Sequence, residues 1–245
     1  MPIEIEEVLR RSEQGATAPY ICRGTNDKLY YVKGKGAKYD SLVKEWIAGN
    51  LASRFGLPIA PFELVHVPRD LYEAGRSDYL EDLGFGLLFG SEQILNSNEL
   101  TVLNAGSLSA ELKRDIAAFD WWVKNGDRTL TEAGGNPNIL WSESAKRPAI
   151  IDHNLAFDEA VTLRSQLTSH IFAGSLEEIC DVAALQAHYN EKFEEALSDL
   201  GDIIGDIPAR WHYVDDAETI ELGFPIGNVE AVLRRYEEQA FWKRK

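Results

Sequence analysis

Apolar residues follow two different rhythms along this chain. Up to about residue 95 they come in short β-forming runs divided by turn residues, with one helical stretch among them; from about residue 108 helical spacing takes over. Tyr20-Ile21-Cys22-Arg23 and Leu29-Tyr30-Tyr31-Val32-Lys33 flank Gly24-Thr25-Asn26-Asp27, so β-formers meet across a turn and a hairpin is expected. Leu42, Val43, Trp46, Ile47, Leu51 and Phe55 share one helical face over Ser41 to Phe55, and Gly56-Leu57-Pro58 ends the run. Pro61 to Val67 reads as another strand and Phe85 to Gly90 as a buried one.

In the second half, Leu112 to Val123 reads as a buried helix that runs straight into the polar stretch Asn125-Gly126-Asp127-Arg128. Ile139-Leu140-Trp141 and Ala149-Ile150-Ile151 are short enough to form two strands of a hairpin, and Leu176 to Leu200 and Val229 to Trp242 read as helices. The expected fold is α+β and bilobal, with a small β-rich N-lobe carrying one helix over residues 1–95 and a larger, mostly helical C-lobe over residues 96–245.

Composition narrows the partners. With 245 residues and 44% hydrophobic content the chain can bury a sizeable core. A formal net charge of −15 repels phosphate backbones, which excludes nucleic acid as the main partner. No run approaches the roughly 18 apolar residues of a spanning helix, and Met1-Pro2-Ile3-Glu4 lacks a basic region before an apolar one, so a cytoplasmic address without membrane insertion is expected. Cys22 and Cys180 are too few for a disulfide framework, and the histidines are too scattered for a zinc site.

The polar residues that break the apolar pattern occur in an order suited to phosphoryl transfer, which asks for a cation on the phosphates, magnesium ligands and a carboxylate beside the nucleophile. Lys33 closes a strand, and Glu45 on the following helix is placed to hold its ammonium against the α- and β-phosphates of ATP. Asp127 follows a buried helix in a polar loop and suits the carboxylate that orients an acceptor hydroxyl and takes its proton. Asn138 before one strand and Asp152 after the next suit Mg2+, a hard cation that keeps several waters. Asn136 competes with Asn138; the strand Ile139-Leu140-Trp141 that follows favours Asn138. Upstream, Ser12, Gly15, Ala16 and Thr17 belong to a small-residue loop whose backbone N–H groups can approach a triphosphate. Leu87 to Glu92 is expected to connect the lobes with backbone groups offered to adenine, which makes Phe89 and Glu92 candidate nucleotide contacts.

Taken in order, Ser12-x-x-Gly15-Ala16, Tyr31-Val32-Lys33, Glu45 with Leu51-Ala52-x-x-x-Gly56-Leu57-Pro58, Asn125-x-Asp127-Arg128, Asn136-Pro137-Asn138-Ile139-Leu140 and Ile151-Asp152-His153 resemble the HipA-like kinases. The Asp-Arg pair and the Ile-Asp-His segment also resemble the catalytic loops of phosphoinositide kinases. The match spans roughly residues 10 to 160, and Ile207-Pro208-x-x-Trp211 fits compact members of the group. The resemblance implies transfer of the γ-phosphoryl group of ATP to a protein serine or threonine, and a loop serine, here Ser12, open to autophosphorylation. It also brings an antitoxin into view as a partner, but the chain is much shorter than full toxins and is expected to lack their extra N-terminal subdomain, which puts that partner in doubt. Thr129 stands where related loops have His, and Leu130 to Gly135 lengthens the path from Asp127 to Asn138. A small-molecule or lipid acceptor, and a nucleotide-binding protein without turnover, are the competing readings.

Overall fold

The computed structural model describes residues 1–13, 18–75, 80–132, 134–215 and 217–244. These residues fall into two compact units. One comprises Met1–Trp46, Ala60–Leu95 and Ile207–Phe224, the other Ile47–Ile59, Asn96–Asp206 and Pro225–Lys245.

The first unit is built on a closed barrel. Strands β1 (Ile3–Arg11), β2 (Tyr20–Gly24), β3 (Leu29–Lys33), β4 (Phe62–Val67) and β5 (Gly86–Glu92) follow one another around it as β1-β2-β3-β5-β4. The β2–β3 hairpin forms as the turn residues suggest, with Tyr20 opposite Val32 and Arg23 opposite Leu29. A parallel pairing of Ile3 with Val65 closes the barrel, so no edge of this sheet is left open. Strand β1 is not foreseen from the pattern. Its register shifts twice, between Ile5 and Glu7 and between Val8 and Arg10, and such bulges erase the alternation that marks a strand. The interior is filled by Ile5, Tyr20, Cys22, Tyr30, Val32, Val65, Val67 and Leu88. Burial there pushes the Cys22 thiol up to about 12. Residues 207–224 join this unit from far along the chain, and the Trp211 indole donates to Leu87 O at 2.8 Å.

Helix α1 (Tyr39–Phe55) buries Leu42, Val43, Ile47, Ala48, Leu51, Ala52 and Phe55. It stops because Gly56 adopts φ 89°, letting Gly56 N–H reach Ser53 O at 3.1 Å and Leu57 N–H reach Ala52 O at 3.0 Å. The short helix α2 (Arg69–Ala74) follows β4.

In the second unit, β6 (Ser97–Glu99), β7 (Ile139–Ser142) and β8 (Arg147–Ile150) form a three-stranded antiparallel sheet. Helices α3 (Val102–Ser107) and α4 (Ala110–Trp122) lie between β6 and β7 in sequence; Ser109 caps α4 by accepting from Leu112 N–H at 3.1 Å. After the sheet come α5 (Leu163–Ser169), α6 (Ala173–Asp181), α7 (Ala183–Leu197) and α8 (Leu200–Gly205). The single helix expected over 176–200 is thus broken. Val182 is extended, at φ −119° and ψ 104°, and the Gln186 side chain caps the Cys180 carbonyl at 2.8 Å. The helix expected over 229–242 is likewise shorter: α9 covers Val229–Leu233 and a 3-10 turn follows over Arg234–Glu237. Tertiary bonds override the helical periodicity here, since Trp122 Nε1 donates to Leu233 O at 2.8 Å and Arg235 Nη2 to Trp122 O at 2.8 Å. Aromatic rings hold this unit together around Phe193, whose ring lies 4.6 Å from Trp122 and 5.7 Å from both Phe55 and Tyr236.

Candidate functional site

The apolar end of α4, from Ile116 to Trp122, carries one acid, Asp120, which is wholly buried. An ionised carboxylate in such a place must be paired and hydrogen-bonded. Arg128 meets it eight residues later: Arg128 Nε donates to Asp120 Oδ2 at 2.6 Å and Nη2 to Oδ1 at 3.4 Å. Asn125 Nδ2 donates to Oδ1 at 2.9 Å. His170 completes the shell, with Nε2 at 2.9 Å from Oδ2. Its Nδ1 accepts the Phe172 N–H at 3.0 Å, which leaves the ring proton on Nε2, facing Asp120. Burial by itself raises a carboxyl's pKa, but Arg128 and then His170 outweigh it and hold Asp120 well below the usual carboxylate range.

The remaining Arg128 donors go to the next strand. Nη1 reaches Pro137 O at 3.2 Å and Asn138 O at 2.7 Å, while Nη2 lies 3.3 Å from His153 Nε2. The Asn138 carbonyl also accepts from Ile151 N–H at 3.0 Å, so the entrance of β7 and the exit of β8 are tied at one point. Two residues there sit in the left-handed region, Asn138 at φ 47° and Asp152 at φ 59°. Such conformations cost on the order of 1–3 kcal/mol each and persist where surrounding bonds over-determine them.

Asp127 stands within this frame. Asn136 Nδ2 donates to Asp127 Oδ2 at 2.7 Å and Asn138 Nδ2 to the same oxygen at 3.2 Å. The two asparagines that compete in the sequence therefore both face Asp127, Asn138 from a buried position and Asn136 from an exposed one. The lengthened segment after Asp127 folds back on itself. Thr129 N–H bonds Asn136 O at 2.9 Å, Thr131 and Gly134 exchange backbone bonds of 2.9 and 3.0 Å, and a Cβ at Gly135 would lie 2.6 Å from Thr129 O. The described residues of this segment close a turn, and Asn136 returns to the carboxylate. Thr129, in place of His, accepts the Asn136 N–H at Oγ1, 3.2 Å away. A cavity of about 280 Å³ opens beside Asp127, lined in part by Gly126, Leu155, Asp158, Val161 and Gln166.

In the first unit, Lys33 at the end of β3 and Glu45 on α1 form a buried pair, Nζ to Oε2 at 2.6 Å. This is the pairing expected from their order in the chain.

A family model for HipA-like kinases matches residues 5–245. The chain belongs to the HipA-like kinase family. It is a kinase, and the α+β composition, β-rich first and helical afterwards, is that of its expected fold. Among solved structures, it is similar to the Helicobacter pylori proinflammatory kinase CtkA, at 13% identity over 98% of this chain and 93% of that one, with a TM-score of 0.48. It is also similar to a Golgi casein kinase with Mn/ADP bound, at 12% identity over 96% of this chain and 70% of that one, with a TM-score of 0.39. No curated protein matches the sequence.

The other expected site positions of this HipA-like kinase fall as follows. Gly15, Ala16 and Thr17 lie outside the described residues. Ser12 is buried at the end of β1, its N–H bonded to Pro19 O at 2.7 Å. The strand expected over 85–90 forms as β5, paired with β3 on one side and β4 on the other, and it runs on to Glu92, so the segment 87–92, also expected to connect the lobes, is part of the barrel. Phe89 is buried and stacks on Phe62 with ring centroids 5.4 Å apart; Glu92 accepts from Lys28 Nζ at 2.8 Å. Local periodicity marks both the end of a strand and the start of a connector, so it could not place this boundary. Asp120 and His170 are not singled out by the sequence reading. The signal for Asp120 is a single acid inside Ile116-Ala117-Ala118-Phe119-Asp120-Trp121-Trp122, which demands a buried cation; His170, 50 residues away, carries no local signal.

Proposed function

We propose that this kinase transfers the γ-phosphoryl group of ATP to a hydroxyl acceptor with the help of Mg2+, and that the acceptor is a protein serine or threonine. The observation that carries this reading is the convergence of Asn138 Nδ2 and Asn136 Nδ2 on the Asp127 carboxylate, 3.2 and 2.7 Å away, with a cavity open beside it. A carboxylate held by two amides keeps its orientation, and the adjoining space admits an acceptor hydroxyl. Asp127 then orients that hydroxyl and takes its proton as the bond to phosphorus forms.

The donor set fits the cation. With its Nδ2 turned to Asp127, Asn138 retains an amide oxygen, and Asp152 supplies a carboxylate on the adjoining strand exit; both are hard oxygen donors of the kind Mg2+ takes. Protein ligation is assigned to these two, with phosphate oxygens and water completing the shell. When bound, the cation neutralises charge on the phosphates. Lys33, fixed by Glu45, is assigned to the α- and β-phosphates, and Ser12, Gly15, Ala16 and Thr17 to the loop around them. Phosphate binding is thus assigned to the unit that carries Ser12 and Lys33, and the transfer chemistry to the unit that carries Asp127, Asn138 and Asp152.

Among the described residues no helix is long and apolar enough to cross a membrane. The net charge of −15 disfavours anionic lipid surfaces as acceptors and is compatible with work in the cytoplasm. Incubation of the protein with labelled ATP and a cell lysate, with and without magnesium, tests the reading. Magnesium-dependent label in protein supports it; label confined to lipid or metabolite fractions refutes the protein acceptor.

A further inference from the structure

Arg128 occupies an unusual position, because every direction its guanidinium faces is taken by a group close to the proposed chemistry. Its Nε and Nη2 hold Asp120, its Nη1 holds the Pro137 and Asn138 carbonyls, and its Nη2 also meets His153, next to Asp152. Three separate segments, at Asp120, at Pro137-Asn138 and at His153, thereby share one side chain that is 1% exposed.

We propose that Arg128, anchored by Asp120, is a positioning residue for the kinase reaction: it sets the Asn138 backbone and, through His153, the segment carrying Asp152. The inference rests on the reading above that Asn138 and Asp152 hold Mg2+. Three arguments support it. Asn138 and Asp152 both sit at positive φ, so their side-chain directions depend on bonds to the surrounding frame, and Arg128 supplies one directly to the Asn138 carbonyl. A planar fork of five donors is the only cationic side chain that can meet a carboxylate edge, two carbonyls and an imidazole at once; a lysine offers a point charge. Finally, a fully buried ion pair gives little net stability over well-packed apolar residues, so stability alone is a poor reason for it to be there. The Asp120 side of the hub is itself fixed by Asn125 and His170, which leaves the guanidinium little freedom to turn.

The test uses the full chain at a temperature where each variant is folded by circular dichroism, and follows magnesium twice: by calorimetric binding in the presence of a nonhydrolysable ATP analogue, which should weaken in the variants alongside the rate effect, and by steady-state ATP hydrolysis, with water as acceptor, while MgCl2 is titrated. For Arg128→Lys the magnesium concentration giving half-maximal rate should rise about 10–100-fold, the range typical when a group supporting a metal ligand is lost, with kcat also reduced. Half-saturation and kcat both within threefold of wild type would overturn the proposal. If Arg128→Lys does not fold, His170→Ala and His170→Gln decide. Loss of the donor to Asp120 in His170→Ala should raise the magnesium requirement and the amide of His170→Gln should restore it; a wild-type requirement in His170→Ala overturns the proposal. Wild-type protein without magnesium-stimulated turnover would overturn the functional reading and this one with it. Normal wild-type turnover with unaffected variants would overturn the positioning role alone.

Discussion

The Lys33 ammonium lies 2.6 Å from the Glu45 carboxylate, with the two side chains only 9% and 5% exposed. Both charges have left water, so each relies on its surroundings for compensation. Replacing Glu45 by Ala should lower the unfolding free energy by about 3–5 kcal/mol, because a buried ammonium then loses the carboxylate that faces it. Urea unfolding measures this. A loss below about 1 kcal/mol, the range of an exposed pair, would show that the ammonium reaches water.

Gly56 ends α1 at φ 89°, and a Cβ built there meets nothing within 4 Å. Only backbone conformation opposes a side chain. Gly56→Ala should therefore cost about 1–2 kcal/mol, and Gly56→Asn less, because Asn tolerates the left-handed region better. Equal thermal midpoints for wild type and Gly56→Ala would contradict the assigned cap.

Asp120 titrates lower in the folded chain than its ordinary value of 3.8, because Arg128 and His170 outweigh its burial. Its contribution to stability is therefore complete above that ordinary value and is lost as pH falls through the depressed one. Asp120→Asn should cost about 3–5 kcal/mol at pH 7, since Arg128 stays buried without its counter-charge. Denaturant midpoints of wild type and variant should keep a constant gap above about pH 5 and converge below about pH 4. A gap that widens on acidification would refute the ion pair.

Much of the framework was legible in the sequence for physical reasons that can be named. The β2–β3 hairpin, α1 with its Gly56 stop, α4 and the β7–β8 hairpin are set by local periodicity and turn chemistry, and each forms within a few residues of its expected limits. Strand β1 was illegible because two register shifts break its alternation. The helix expected over 229–242 is interrupted by contacts from distant residues, such as the Trp122 indole on Leu233 O, and the one over 176–200 by the extended Val182, beside which the Gln186 side chain caps the Cys180 carbonyl. At the site, the order Lys33, Glu45, Asp127, Asn138, Asp152 is visible in one dimension. Asp120 shows only as a lone acid in an apolar helix, and its His170 support, 50 residues away, leaves no local mark. The loop Leu130 to Gly135 looked like a lengthened path, and only its internal bonds reveal that it brings Asn136 back to Asp127.

The central claim is that Asp127 takes the acceptor's proton while other residues hold the nucleotide and the metal. Asp127→Asn keeps an oxygen and the volume but removes the base, and the measurement is single-turnover transfer from labelled ATP beside calorimetric binding of magnesium and a nonhydrolysable ATP analogue. Transfer should fall by about 10²–10⁴-fold with nucleotide affinity within threefold of wild type. An unchanged transfer rate would contradict the role of Asp127 and, with it, the mechanism proposed for this kinase.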